Sequence, residues 1–201
     1  MLHFNAVPPG VSRLLKQLAS RPCLSGFHLA GGTSLALRFG HRLSVDLDYF
    51  STATFDPEQL YLDLALSESK VVARSTGTLT LDASGTKLDF LRHAYPLVAE
   101  PEDLEGIRLL SVSDVGAMKL NAIANRGSKK DFFDLCELMK HHSLQGLLEC
   151  FERKYPSSDR FIVLRSLAWF EDADLEPDPV SLVGVTWPAA KELVISALRS
   201  L

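Results

Sequence analysis

Apolar residues along the first half of the chain recur with two different periods. Val11, Leu14, Leu15 and Leu18 fall on one face of a helix over residues 11–20. GFHLAGG (residues 26–32) then reads as a short buried strand ending in a glycine turn, and TSLALRFG as a short helix stopped by Gly40. LSVDLDYFS (residues 43–51) alternates and predicts a strand, with Val45, Leu47 and Tyr49 on its inner face. Asp56-Pro57-Glu58-Gln59 predicts a helix start: an Asp N-cap, proline in the first turn, and a Gln placed to complete a capping box. The helix LYLDLALSE follows. KVVARST, TLTLD and TKLDFLRH then predict three strands, the last two joined into a hairpin by the ASG turn.

Past residue 93 the pattern changes. AYPLVAEPEDLEGIRLLS carries two prolines and four acids, and is expected to connect two lobes. SDVGAMKLNAIAN, KDFFDLCELMKHH, SLQGLLECFERKY, DRFIVLRSLAWF and KELVISALRSL are successive helical patterns, with Ser128 as the expected cap of the second. The expected organisation is therefore an α/β core over residues 1–112 and a helical lobe over residues 113–201.

Composition narrows the class. The chain is 46% hydrophobic and 23% charged, with a formal net charge of -4, as in an ordinary globular protein rather than one that coats nucleic acid. Cys23, Cys136 and Cys150 are far apart and lack a Cys/His cluster, which predicts reduced thiols rather than a zinc knuckle. The opening MLHFNAVPPGVSRLL lacks a signal-peptide core, and no apolar run approaches the roughly 20 residues of a membrane span. A cytoplasmic protein with no membrane partner is expected.

Candidate chemistry gathers at three places. In a strand, Asp46 and Asp48 point the same way with Cα atoms ~6.6–7 Å apart. Such a pair reads as two acids on the solvent face of an amphipathic strand, or as a metal clamp: carboxylates that close repel unless a cation sits between them, and Mg²⁺, with Mn²⁺ as a substitute, suits such oxygen donors. The preceding turn offers Gly31 and Gly32, whose helix-start amides suit phosphate, with Thr33 or Ser34 as N-cap or hydroxyl donor. Asp89 in KLDFL reads either as an acid on an exposed hairpin strand or, on a strand adjacent to them, as a further metal ligand or the base for an attacking hydroxyl. Farther on, Lys119, Arg126, Lys129 and Lys130 form a basic run with no acid between Lys119 and Lys130. Lys119 and Arg126 are about two helical turns apart and could reach phosphates across a cleft. Asp131 and Asp134 share a helix face. They read equally as N-terminal acids favoured by the helix dipole and as functional groups. His41-Arg42 reads equally as a phosphate or ribose contact and as a basic pair at a helix end. Phe161, Trp169 and Phe170 are expected in the core, and His141-His142 on the solvated surface.

Two blocks carry a resemblance. Gly31-Gly32-Thr33-Ser34-Leu35 followed by His41-Arg42-Leu43-Ser44-Val45-Asp46-Leu47-Asp48-Tyr49-Phe50 resembles the signature of the AbiEii-type nucleotidyltransferase toxins. Lys119, then Arg126, then Lys130-Asp131-Phe132-Phe133-Asp134-Leu135 resembles a second block of that family. The resemblance implies an α+β fold, a polymerase-beta-like nucleotidyltransferase core with a mixed sheet and flanking helices, followed by a C-terminal helical lobe. It implies Mg²⁺ on Asp46 and Asp48, completed by Asp89. It also implies an NTP held by Gly31, Gly32, Thr33, Ser34, Arg42, Arg126 and Lys130. Lys119 would meet the phosphates in transit, with Asp131 or Asp134 orienting it or the nucleotide. The implied activity is transfer of a nucleoside monophosphate to a hydroxyl of RNA, such as a tRNA 3′ end, or of protein. A toxin role in a toxin–antitoxin or abortive-infection system, with a cognate antitoxin, goes with it. A nucleotide-binding module without turnover and a kinase-type phosphotransferase are the alternatives.

Overall fold

The computed structural model describes residues 1–201. Helix α1 (Pro9–Ala19) precedes β1 (His28–Leu29), α2 (Gly31–Phe39), β2 (Leu47–Ser51) and α3 (Pro57–Leu64). Strands β3 (Ser69–Ser75), β4 (Thr78–Ala83), β5 (Thr86–Arg92), β6 (Glu102–Leu104) and β7 (Ile107–Leu109) follow. Six helices complete the chain: α4 (Val112–Asn125), α5 (Lys129–Leu138), α6 (Leu144–Lys154), α7 (Arg160–Leu167), α8 (Glu171–Asp174) and α9 (Trp187–Arg199). The seven strands form one mixed sheet in the order β3-β4-β5-β2-β1-β7-β6. The β2–β5 and β1–β7 contacts are parallel, the others antiparallel. This is the α+β architecture that the resemblance implies.

Two apolar clusters hold it together. One lies under the sheet, where α1 and α3 bury Leu15, Leu18, Leu60 and Leu64 against Leu47, Tyr49, Leu88 and Phe90. The other runs through the helices after Leu109, around Leu120, Phe132, Leu148 and Phe151. Helix α2 contributes to both, Leu37 to the first and Leu35 to the second. It therefore fixes the sheet against the helices.

The differences from expectation are local. Pairing of β2 with β5 begins at Leu47↔Leu88, so Asp46 lies just before the strand and Val45, expected inside, is 54% exposed. The supposed connector after residue 93 contains the hairpin β6–β7, whose strands are too short to show a period. Asp56 does cap α3 by accepting from the Glu58 and Gln59 amides, but Gln59 bonds Asp63 rather than closing the capping box. Ser128 precedes α5 without capping it. Its hydroxyl donates to Glu176, and the same Glu176 oxygen accepts the Lys129 amide. The aromatic group is split: Phe170 packs on Phe132 and Trp187, while Phe161 and Trp169 are 67% and 53% exposed.

Candidate active site

The site starts from the parallel junction at the middle of the sheet. Strand alternation buries Leu88 and Phe90 on one face of β5 and leaves Asp89 on the other. The register places Asp89 directly beside Asp48 of β2. Both Asp89 oxygens are engaged, one by the Thr80 hydroxyl at 2.6 Å and one by the Lys87 ammonium at 2.6 Å. Asp48 has no such partner. Burial raises its pKa; Lys119 opposes the shift, and the neighbouring charges of Asp89 and Asp46 add to it. Asp46 makes one ion pair, with the Lys130 ammonium at 3.9 Å.

The glycine turn serves close approach. Gly31 has φ +64°, a left-handed conformation that disfavours side chains, and a β-carbon there would run into the Asp48 carboxylate. A β-carbon on Gly32 would run into the Arg42 guanidinium. The two glycines thus let an acid and an arginine lie against the first turn of α2, whose amides have no partner within the helix. Thr33 and Ser34 do not reach this space. Ala30, not either hydroxyl residue, is the N-cap, and it makes no side-chain cap bond. The buried Thr33 hydroxyl is bonded to Ser44 and the Asp46 carbonyl, and that of Ser34 to the Gly31 carbonyl at 2.9 Å.

Opposite the sheet, α4 and α5 build a buried charge network. Asp134 accepts from His41 Nε2 at 2.7 Å and from the Arg42 fork, Nε at 2.7 Å and Nη2 at 2.8 Å. The Lys119 ammonium lies 2.6 Å from Asp134 and 2.8 Å from Asp131. Arg126 forks onto Asp131 at 2.9 and 3.1 Å while its side chain stays 57% exposed. Burial disfavours ionised Asp134, but Lys119, Arg42 and the His41 bond outweigh it and hold the carboxyl well below the usual range. Asp131 is lowered in the same way, burial being outweighed by Lys119 and Arg126. Lys119 itself stays charged: burial would lower its pKa, and the two aspartates raise it.

Sheet and helices enclose a cleft of about 440 Å³. Gly31, Gly32, Arg42, Asp46, Asp48, Asp89, Lys119, Arg126 and Lys130 all line it. Of the residues singled out by sequence, Thr33, Ser34, Asp131 and Asp134 stand behind the wall rather than in it. Further residues complete the lining, among them Lys87, which neutralises Asp89, and Pro179. Lys87 was legible as the same-face neighbour of Asp89; Pro179 carries no local signal. No group of three or more His, Cys, Asp and Glu side chains is arranged to hold a metal ion. With Asp89 engaged, Asp46 and Asp48 are the oxygen donors left to a hard cation, which suits Mg²⁺ because it takes one or two carboxylates and fills its shell with water and phosphate.

Comparison with known proteins gives the family and the fold. The chain is 39% identical over 177 residues to an uncharacterized protein of Aquifex aeolicus (strain VF5), covering 81% of this chain and 85% of that one. It shares its fold with JHP933 from Helicobacter pylori, with a TM-score of 0.58 at 17% identity, over 100% of this chain and 95% of that one. The sequence model of the AbiEii nucleotidyltransferase toxins of type IV toxin–antitoxin systems matches residues 13–198, and the chain belongs to that family.

Proposed function

We propose that this member of the toxin family transfers a nucleoside monophosphate from an NTP to a hydroxyl acceptor on RNA or protein, with Mg²⁺ as its cofactor. One observation carries the reading. In a single cleft, Asp48 of β2 and Asp46 just before it face Lys119, Arg126 and Lys130 from the helices. Acids on one wall suit a metal, and cations on the other suit a triphosphate.

The acceptor oxygen attacks the α-phosphorus while the bond to the β-phosphate bridging oxygen breaks, and pyrophosphate leaves. The hydroxyl proton passes to Asp89, the cleft carboxylate not given to Mg²⁺. Mg²⁺ on Asp46 and Asp48 would supply Lewis acidity at the phosphate oxygens. The first turn of α2, opened by Gly31 and Gly32, receives the triphosphate on its amides. Arg126 and Lys130 meet its outer charge. Lys119 is fixed by Asp131 and Asp134, so its positive charge is in place before charge builds on the leaving group. Arg42, bound through its fork to Asp134, acts mainly as a strut for Gly32 and contacts phosphate only with its remaining N–H groups.

The test is incubation of lysate and purified protein with each NTP, labelled at the α or the γ phosphate, followed by separation of RNA from protein. Incorporated α label that disappears in Asp48→Asn is expected. Transfer of γ label would make the protein a kinase-type phosphotransferase. NTP binding without pyrophosphate release would make it a binding module.

A further inference from the structure

A second recess, of about 400 Å³, opens between the end of α4 and the end of α7. Asn125, Arg126, Arg165, Ser166, Trp169 and Asp172 line it. Arg126 also lines the acid cleft, so one side chain borders both spaces. Phe161, Arg165 and Trp169 recur every four residues and form a stripe along α7 and the turn beyond it. All three are exposed.

The exposure of Trp169 needs a cause. The other tryptophan, Trp187, is 7% exposed and packs on Phe132, Phe133 and Phe170. Trp169 pairs with no aromatic ring and leaves 53% of its surface in water. Arg165 is equally unengaged. Arg160 on the same helix bonds Glu152 and Gln145, whereas Arg165 makes no side-chain hydrogen bond or ion pair. An open aromatic face flanked by arginines is how proteins hold unpaired nucleotides: the ring stacks on a base of any sequence, and guanidinium groups meet phosphates. Asp172 makes the recess less basic than its two arginines alone and adds an acceptor for a base amino group.

We propose that this recess binds a nucleotide of single-stranded RNA, its base on Trp169 and its phosphates on Arg165 and Arg126, so that the strand leads its 3′ hydroxyl into the acid cleft. The inference rests on the nucleotidyl-transfer reading for the direction of the strand, but not for binding itself.

The probe is a short fluorescein-labelled oligoadenylate with a free 3′ hydroxyl, titrated onto the full chain by anisotropy and by tryptophan quenching. Wild type binds and its fluorescence is quenched. Trp169→Ala weakens binding by about 5- to 100-fold, and Trp169→Phe by less. Arg165→Ala lowers the slope of log affinity against log salt by about 0.7, the loss of one phosphate contact. NTP binding, measured on the same variants by calorimetry, stays at the wild-type value. Equal RNA affinity in Trp169→Ala and wild type would overturn the proposal, as would a wild type that ignores RNA and labels only protein. NTP binding without RNA binding sinks the recess alone. RNA binding dependent on Trp169 without NTP binding sinks the transfer reading and keeps the recess.

Discussion

Arg42 and Asp134 are joined by two parallel hydrogen bonds, at 2.7 and 2.8 Å, across 92 residues of sequence. This fork ties the loop before β2 to α5. The same aspartate also accepts from His41 and neutralises Lys119. Removing its charge leaves buried cations without a counter-ion, so Asp134→Asn is expected to cost about 3–5 kcal/mol in urea unfolding.

The pH dependence of that cost has a definite sign. Asp131 and Asp134 are lowered in the folded state, so their contribution is complete above the unfolded carboxyl pKa of about 3.9 and is lost as pH falls through the folded values. Wild-type stability should therefore fall steeply below about pH 4. The gap to Asp134→Asn should narrow there, as read by thermal unfolding at each pH.

Asp48 has the opposite sign. Burial, with Asp89 and Asp46 nearby, raises its pKa, so its contribution is full below the unfolded value and is lost as pH rises through the folded one. Its burial therefore weakens the fold at neutral pH. Asp48→Asn should abolish α-label transfer and yet stabilise the protein by about 0.5–2 kcal/mol. Mg²⁺ should raise the Tm of wild type and leave that of the variant unchanged.

Gly31→Ala places a methyl group into the Asp48 carboxylate at a left-handed φ. Loss of about 1–2 kcal/mol from the backbone alone is expected, together with loss of transfer. Gly10→Ala is the control, because a β-carbon there meets nothing within 4 Å. It should gain about 0.5–1 kcal/mol with activity unchanged.

Ser34→Ala distinguishes a phosphate-binding hydroxyl from a structural one. The hydroxyl is buried against the Gly31 carbonyl, so the variant should lose about 0.5–1.5 kcal/mol and bind NTP as wild type does. A large fall in NTP affinity would return Ser34 to the cleft.

What the sequence disclosed followed the range of the interaction. The β4–β5 hairpin, the Asp56 cap and the αL glycine that stops α2 are set within a few residues, and each was legible. So was the pairing of Asp89 with the Asp46–Asp48 strand, because alternation fixes faces and the two strands need only be neighbours. The partners of the acids were not. The spacing of Lys119, Asp131 and Asp134 suggests a shared surface, but nothing local says that Asp134 is taken by Arg42, or that Glu176 rather than Ser128 serves the start of α5. Trp169 misled for a related reason: its residue type predicts burial, and only the placement of α7 exposes it.

The segment after α8 has a further consequence. The Glu176 carbonyl holds Lys129, the Val180 carbonyl accepts the Leu43 amide, and Leu182 donates to the His41 carbonyl. A ribosome delivers the acids of the cleft first, Lys119 and Asp134 later, and this clasp after both. Residues 41–43, which anchor the charge network, find their final backbone partners only when residues 180–182 have emerged. A chain stopped before residue 180 would therefore carry the charged groups of the cleft without the backbone bonds that hold residues 41–43.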